Sequence, residues 1–286
     1  MKKMAYLLSI LSVSFLLMGC QKETTSGKKE NSSVSKEVTV YLVRHGKTML
    51  NTTDRSQGWI DAPLTPAGVS VAKNLGKGLA DVKFDAVYSS DSGRAIETAT
   101  HVLKKNGQEK LLDQLITDER LREFNFGTYE GLPNEKMWTA VANEQGLSLE
   151  EWQTKMTTNG FVNTIKNFAD TLHKLDKKKL EELGKEHAVA SEEVSWQAED
   201  YQTVIGRAKS ALNDIVATAK TKDQQTVLVT SHGMTIASLV TSLDETVNVP
   251  PTGLKNASVC KIVYKDGMFT VASVNDLTYV EKGMKE

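Results

Sequence analysis

Two histidines in this chain stand at the ends of apolar runs and are each followed by glycine: His45 in Arg44-His45-Gly46 and His232 in Ser231-His232-Gly233. Between them lie Arg94, in Ser90-Asp91-Ser92-Gly93-Arg94, and the carboxyl residue Glu123. These residue types suit the movement of a phosphoryl group through a histidine. A phosphate monoester is a dianion at neutral pH, so an approaching nucleophile needs fixed positive charge on the phosphate oxygens. Arg44 and Arg94 are candidates for that charge, because a guanidinium stays protonated and its planar fork matches two phosphate oxygens. His45 is the candidate nucleophile. A neutral imidazole nitrogen can take the phosphoryl group, and neighbouring cations disfavour its protonation.

Such residues have to be brought into one crevice, and the flanking sequence supplies the means. Val38–Val43 is an apolar, β-branched run short enough for a buried parallel strand, and it ends at Arg44-His45. Thr226–Thr230 repeats the arrangement ahead of His232. A strand, then a reactive side chain, then glycine is how an open α/β sheet presents residues at the carboxyl ends of its strands. Ala86–Ser89, Ser258–Tyr264 and Phe269–Val274 also read as strands, with Asp266-Gly267 as a hairpin turn between the last two. One helix begins at Thr65-Pro66, with threonine as cap and proline at the first position. Another begins near Ser92, with an amide end suited to phosphate.

The ordered blocks resemble the histidine phosphatase superfamily in its phosphoglycerate-mutase-like branch. They read RHGKTMLN from Arg44 to Asn51, QGWIDAPLTPAG from Gln57 to Gly68, VYSSDSGRAIETA from Val87 to Ala99, LREFNFGTYEG from Leu121 to Gly131, and VTSHG from Val229 to Gly233. The likeness covers residues 38–131 and 199–276 and lapses between them. It implies a three-layer α/β/α sandwich with a mostly parallel sheet. By the same resemblance His45 forms a phosphohistidine, His232 stabilises the transferring phosphoryl group, and Glu123 is the acid/base. A carboxyl beside the bound phosphate can protonate the leaving alkoxide and later deprotonate the attacking water. Asn51, Gln57, Gly58 and Gly233 fall where relatives contact substrate or phosphate, although turn chemistry also accounts for Asn and Gly.

Each of these residues also has a structural reading. Arg94 could cap or pair on its own helix, and Glu123 could be a surface carboxylate. His101, His173 and His187 lie in helical or charged segments and read as ordinary side chains. Between Leu132 and Glu199 the sequence is helical and charged, and it forms an insertion over the active site (about 132–199). Its Lys177-Lys178-Lys179 run reads as a solvated helix face.

The amino terminus has a separate function. Lys2-Lys3 precedes the apolar run Leu7–Met18, which is too short for a comfortable membrane span and has the form of an export signal. Leu17-Met18-Gly19-Cys20 resembles the bacterial lipobox, which implies lipid on Cys20 and signal cleavage before it. A plain secretory signal and an uncleaved anchor are the alternatives. The chain thus divides into a lipoprotein signal (1–19), a polar tether (20–37) and a phosphatase domain (38–286). The tether is rich in Ser, Thr, Lys and Glu, and a flexible chain of its length reaches roughly 20–25 Å.

Composition narrows the partners. The chain has 286 residues, of which 40% are hydrophobic, enough for one large α/β domain. Its 35 Lys+Arg against 36 Asp+Glu leave a formal net charge of −1 and give no reason to expect nucleic acid. With Cys20 assigned to lipid, Cys260 stands alone and reads as an inert buried thiol. No metal-ligand spacing or cofactor motif occurs, so the expected partners are a small phosphomonoester and, through Cys20, the membrane. The resulting expectation is an exported phosphomonoester hydrolase that needs no metal. A phosphoglycerate mutase and a noncatalytic phosphate-binding lipoprotein are the alternatives. Mutase relatives carry further basic residues after the Glu123 block, whereas here Leu132–Trp138 follows with no Arg-Arg pair.

Overall fold

The computed structural model describes residues 37–187 and 196–286. The expected signal and most of the tether, residues 1–36, lie outside the described residues. Of the described helices, none is long and apolar enough to cross a membrane.

Among the described residues six strands form one sheet: β1 (Val38–Arg44), β2 (Ala86–Ser89), β3 (Ile116–Thr117), β4 (Thr226–Ser231), β5 (Val259–Lys265) and β6 (Met268–Asp276). Their spatial order is β3-β2-β4-β1-β5-β6. β1, β2, β3 and β4 run parallel, and β5 and β6 close one edge as an antiparallel hairpin. The hairpin turn falls at Asp266-Gly267, where both residues take positive φ (51° and 86°), the conformation a tight two-residue turn demands. β3 was not expected from the sequence. Two exposed residues carry no periodicity to read.

Helices cover both faces of the sheet, which explains why β1 is apolar at consecutive positions. Val38, Val40 and Leu42 pack towards α7 (Tyr201–Thr221) and α8 (Gly233–Leu243), against side chains such as Leu212, Ile215 and Ile236. Tyr41 and Val43 point the other way, into a cluster with Leu75, Val102 and Val280. Those three come from α2 (Pro66–Gly78), α3 (Gly93–Asn106) and α9 (Thr278–Met284). Strands buried on both faces belong to parallel sheets with helical layers above and below. The fold is therefore the three-layer α/β arrangement the resemblance implies.

Local signals set the helix ends. The Thr65 hydroxyl accepts from Gly68 N at 3.1 Å with Pro66 at the first helical position, and Asp200 accepts from Thr203 N at 2.7 Å to start α7. A short helix α1 (Met49–Thr52) begins with a reciprocal box between Thr48 and Asn51.

The segment after Glu123 is helical: α4 (Asn134–Glu144), α5 (Leu149–Thr158) and α6 (Phe161–His187). On α6 the buried residues Ile165, Phe168, Leu172, Asp176 and Leu180 recur at the helical period. With Phe126, Met137 and Trp152, the apolar residues Ile165, Phe168 and Leu172 build a second core beside the sheet core. Asp176 belongs to the charged stretch yet is fully buried. It accepts from Thr128 N and Ala198 N, both at 2.8 Å, and so ties α6 to the Glu123 loop. Lys177 and Lys178 are exposed, whereas Lys179 lies over the Tyr129 ring at 4.6 Å.

Candidate active site

Strand register places the reactive residues next to one another. β1 and β4 pair with Arg44 opposite Ser231, and His45 N donates to Ser231 O at 3.0 Å. β2 lies on the other side of β4, and Ser90 N donates to Thr230 O at 2.8 Å. Three strands therefore end side by side at the carboxyl edge, where open α/β sheets bind their ligands. The His45 and His232 rings approach to 5.2 Å between centroids at an interplanar angle of 61°.

The two histidines are held in opposite tautomers. His45 Nδ1 lies 2.8 Å from Gly46 O. A carbonyl can only accept, so Nδ1 carries the hydrogen and Nε2 keeps its lone pair. On His232 the order reverses. Arg94 Nε donates to His232 Nδ1 at 3.2 Å, leaving the hydrogen on Nε2, which faces Ser90 Oγ at 2.9 Å. Both rings are buried, and their pKa values lie well below the ordinary range, first through burial and then through the nearby arginines. A buried, neutral His45 with a free Nε2 is a competent nucleophile.

The two arginines are held differently. Arg94 is fully buried at the start of α3, with Nη1 donating to Ile60 O (3.0 Å) and Asp61 Oδ1 (2.9 Å) and Nη2 to Gly58 O (2.6 Å). Counting the bond from Nε to His232, four of its five N–H groups have protein partners. The Nη1 of Arg44 donates to Leu254 O, while its buried Nε has no protein partner. Burial draws the Arg44 pKa below its usual value, and Glu123 opposes that shift.

Glu123 is buried and accepts at both oxygens. Met234 N donates to Oε2 at 3.0 Å, and Thr235 N and Phe124 N donate to Oε1 at 2.9 and 3.1 Å. The first two amides belong to the start of α8, where unsatisfied N–H groups favour an acidic partner. Thr235 Oγ1 lies 2.9 Å from both Arg122 O and Glu123 Oε1. That single hydroxyl hydrogen serves one of the two acceptors at a time, and Oε1 keeps its two backbone N–H donors in either case.

A cavity of about 210 Å³ opens over this group. Arg44, Glu123, Asn51, Gln57 and Gly233 line it, whereas His45, Arg94 and His232 are buried and do not. Gln57 Oε1 accepts from Thr48 Oγ1 at 2.6 Å, but its buried Nε2 has no protein partner. Arg44 Nε and Gln57 Nε2 are thus two buried donors on residues of the same cavity wall, which suits an anionic ligand. Gly233 permits this packing, because a Cβ there would meet Arg44 Nε at 3.0 Å.

Gly58 does not line the cavity. Its N–H goes to Glu130 Oε2 (3.0 Å) and its carbonyl to Arg94, and a Cβ would lie 2.1 Å from Phe124 O. Its carbonyl helps to hold Arg94. The amide end of α3 is likewise met from within the protein: Asp61 Oδ1 lies 3.5 Å from Arg94 N, and a Cβ on Gly93 would touch Asp61 Oδ2 at 2.6 Å. The helix end that the sequence suggested for phosphate therefore faces a carboxylate.

Several supporting residues were not singled out in the sequence. Glu130 collects the backbone N–H groups of Gly58, Trp59, Ile60 and Phe126, and burial pushes its pKa up against those donors. Arg207 pairs with Glu199 at 2.8 Å and donates to the carbonyls of Arg120, Arg122 and Glu123, clamping the strand of chain that presents Glu123. Asp61, Ser90 and Glu130 lie within the motif blocks but support the motif side chains from behind. Arg207 had one signal, a lone arginine among the apolar positions Val204, Ile205 and Ala208 of α7.

His101 and His173 are structural. His101 lies 3.8 Å from Glu97 on the same helix, and His173 Nδ1 lies 2.7 Å from Ala198 O. Cys260 is buried, with its thiol pKa pushed up to about 11 by burial. Among the described residues no cluster of three or more His, Cys, Asp or Glu is placed to hold a metal ion.

Two neutral histidines between two arginines, at the carboxyl edge of a parallel sheet with a carboxyl group alongside, form a site of the phosphoryl-transfer class. The chain belongs to the histidine phosphatase superfamily (branch 1), whose profile matches residues 40–178 and 166–277. It is similar to the crystal structure of a phosphoglycerate mutase from Bacillus anthracis, at 42% identity and a TM-score of 0.75, covering 89% of this chain and 99% of that one. It is also similar to Bacillus stearothermophilus YhfR, at 28% identity and a TM-score of 0.60, covering 85% and 99%. By sequence, a Hydrogenobacter thermophilus protein named as a candidate phosphoserine phosphatase is 27% identical over 85% of this chain and 98% of its own. Relatives with phosphatase and with mutase names thus both resemble this chain.

Proposed function

We propose that the protein is a phosphomonoester hydrolase that works through a phosphohistidine on His45 and needs no metal. The observation that carries this reading is the His45 tautomer, with Nδ1–H held by Gly46 O and Nε2 left as a lone pair beside two arginines. In the first step His45 Nε2 attacks phosphorus and the ester P–O bond breaks, while Glu123 gives its proton to the leaving oxygen. In the second step water attacks phosphorus, the N–P bond breaks, and the Glu123 carboxylate takes the water proton. Arg44 and the remaining Arg94 N–H neutralise the equatorial oxygens throughout. His232, fixed by Arg94, would stabilise the phosphoryl group in flight by turning its Nε2–H from Ser90 Oγ to a phosphoryl oxygen.

A mutase reading has the Bacillus anthracis likeness in its favour. It requires a second anion site for the carboxylate of a phosphoglycerate. Apart from Arg44, the cavity holds one cation among the described residues, Arg55, and that guanidinium already donates to Gly131 O at 2.7 Å. Hydrolysis fits this wall better. The protein is further proposed to be exported and anchored through lipid on Cys20, on the strength of Leu17-Met18-Gly19-Cys20 and the polar segment after it.

Rapid acid-free quenching during turnover should trap alkali-stable, acid-labile phosphate on His45, with phosphate release and no isomerised product. A His45→Ala variant with near-normal turnover would refute the mechanism. Strict dependence on an added divalent ion would count against the metal-free reading.

A further inference from the structure

The cavity beside Arg44 and Glu123 has a wall that phosphate chemistry does not explain. Five aromatic rings face it: Phe126, Trp138, Trp152, Phe161 and Phe168. Four of them come from α4, α5 and α6, where the likeness was expected to lapse but the family profile still matches. The rings brace one another, with Trp138 and Trp152 stacked at 6.2 Å and Phe126 edge-on to Phe168 at 5.9 Å. Trp152 and Phe168 are core residues of these helices and Phe126 packs with them, whereas Trp138 and Phe161 are only half-buried. Those two therefore have faces left over from packing, at the wall of the cavity. Gly253 helps to place one of them, since a Cβ there would lie 3.0 Å from the Phe161 ring.

Resting on the hydrolase reading, we propose that this wall is the leaving-group subsite, and that the substrate is a phosphomonoester of an apolar alcohol or phenol about one aromatic ring in size. Three observations converge on this. The apolar wall and the two catalytic residues Arg44 and Glu123 line one cavity, so an ester held by Arg44 projects its alcohol towards the rings. The cavity volume, about 210 Å³, exceeds the roughly 150 Å³ that accommodates benzene in an apolar protein cavity. Among the described residues the charged lining beyond Arg44 and Glu123 is Arg55 alone and the uncharged polar lining is Asn51, Gln57, Asn134 and Thr252, so hydroxyls or an ammonium on the leaving group would lose their water wherever they lay against the aromatic part of the wall.

The test compares substrates whose leaving alcohols have similar basicity, so that differences report binding and not bond reactivity. Benzyl phosphate should exceed glycerol 3-phosphate in kcat/KM by roughly 10- to 100-fold, the usual value of burying a phenyl-sized group. Trp138→Ala and Phe161→Ala should each collapse that ratio towards one. Binding is measured alongside, by calorimetry on the wild-type protein with benzylphosphonate and methylphosphonate. Benzylphosphonate should bind at least about tenfold more tightly by the same burial argument. Equal affinities, or a glycerol 3-phosphate rate equal to that for benzyl phosphate, would overturn the subsite. This holds whether or not a variant folds. Tight benzylphosphonate binding without turnover or phosphohistidine would instead overturn the hydrolase reading and leave the subsite standing.

Discussion

Arg94 Nε lies 3.2 Å from Nδ1 of His232, and this contact assigns the hydrogen of a ring more than a hundred residues away in sequence. Because a guanidinium N–H can only donate, His232 must present its own hydrogen at Nε2. His45 carries the opposite tautomer, imposed by Gly46 O. One ring thus keeps a free lone pair and the other directs its N–H to Ser90 Oγ, without either needing a positive charge.

Replacing Arg94 by lysine keeps the charge and removes the fork. Lysine has no Nε–H for His232 and cannot meet Gly58 O, Ile60 O and Asp61 together. Turnover should fall about 10²–10³-fold, the usual loss for one preorganised donor set around a transferring group. Nitrogen NMR of the imidazoles should show His232 as a mixture of tautomers. A variant that loses activity with the Nε2–H tautomer intact would mean that Arg94 acts through phosphate alone.

The burial of two neutral histidines also fixes a pH dependence of stability. Their folded-state pKa values lie below the unfolded value of about 6.5. As pH falls through about 6.5, the unfolded chain takes up protons that the folded chain refuses, so stability is lost on acidification until the folded values are reached. Each histidine adds a slope of about 1.4 kcal/mol per pH unit below that point, or about 2.7 for the pair. Urea midpoints between pH 7 and pH 5 should show this slope, and a His45→Asn/His232→Asn variant should flatten it. An unchanged slope would place the protonation elsewhere.

Much of this was legible in the sequence, for a physical reason. Arg44-His45 and Ser231-His232 follow apolar runs whose burial on both faces leaves no other role than central parallel strands, so the location of the site follows from the strand ends. The supporting contacts were not legible. Asp61 holds Arg94 from a separate loop, and Ser90 meets His232 across the strand ends, so both depend on three-dimensional register. In Asp176, burial of a carboxylate inside a charged run defeats pattern reading, because only its three N–H and O–H partners justify it. The aromatic wall was hidden for the opposite reason. Trp138, Trp152 and Phe161 have the spacing of ordinary helix cores and show their second role only once α4, α5 and α6 converge.

Glu123 should matter in proportion to the basicity of the leaving group. As donor to the departing oxygen, its replacement by glutamine should slow alkyl phosphates by roughly 10²–10⁴-fold. Aryl phosphates, whose leaving groups need less help, should slow far less. An equal loss for alkyl and aryl esters would make Glu123 a positioning residue.

Arg207 holds the Glu123 segment through the Glu123 carbonyl and does not itself line the cavity. Its pair with Glu199 is mostly buried, at 14% and 12% side-chain exposure, so Arg207→Ala should cost about 3 kcal/mol or more of stability, as removal of one member of a buried pair does. The released carbonyls of Arg120, Arg122 and Glu123 should also let the carboxyl drift. Alkyl ester turnover should therefore fall more than aryl turnover, the same signature as loss of Glu123 but smaller. Full stability in Arg207→Ala would remove the clamp from the account.

Location is tested independently of chemistry. A diacylglyceryl group and a further acyl chain on Cys20 would supply the multiple hydrocarbon chains that stable anchoring needs, whereas a single chain holds only marginally. The full-length protein should therefore partition with membranes, and the chain from about Val38 should remain active when released from them. Cys20→Ser should block lipidation and cleavage at that site and leave a precursor or a differently processed form. Mass spectrometry of the membrane-extracted amino terminus reads the outcome directly. A mature chain beginning at lipid-modified Cys20 is the expected result; an unmodified Cys20, or a start downstream of it, would overturn the anchor and leave the chemistry at His45 untouched.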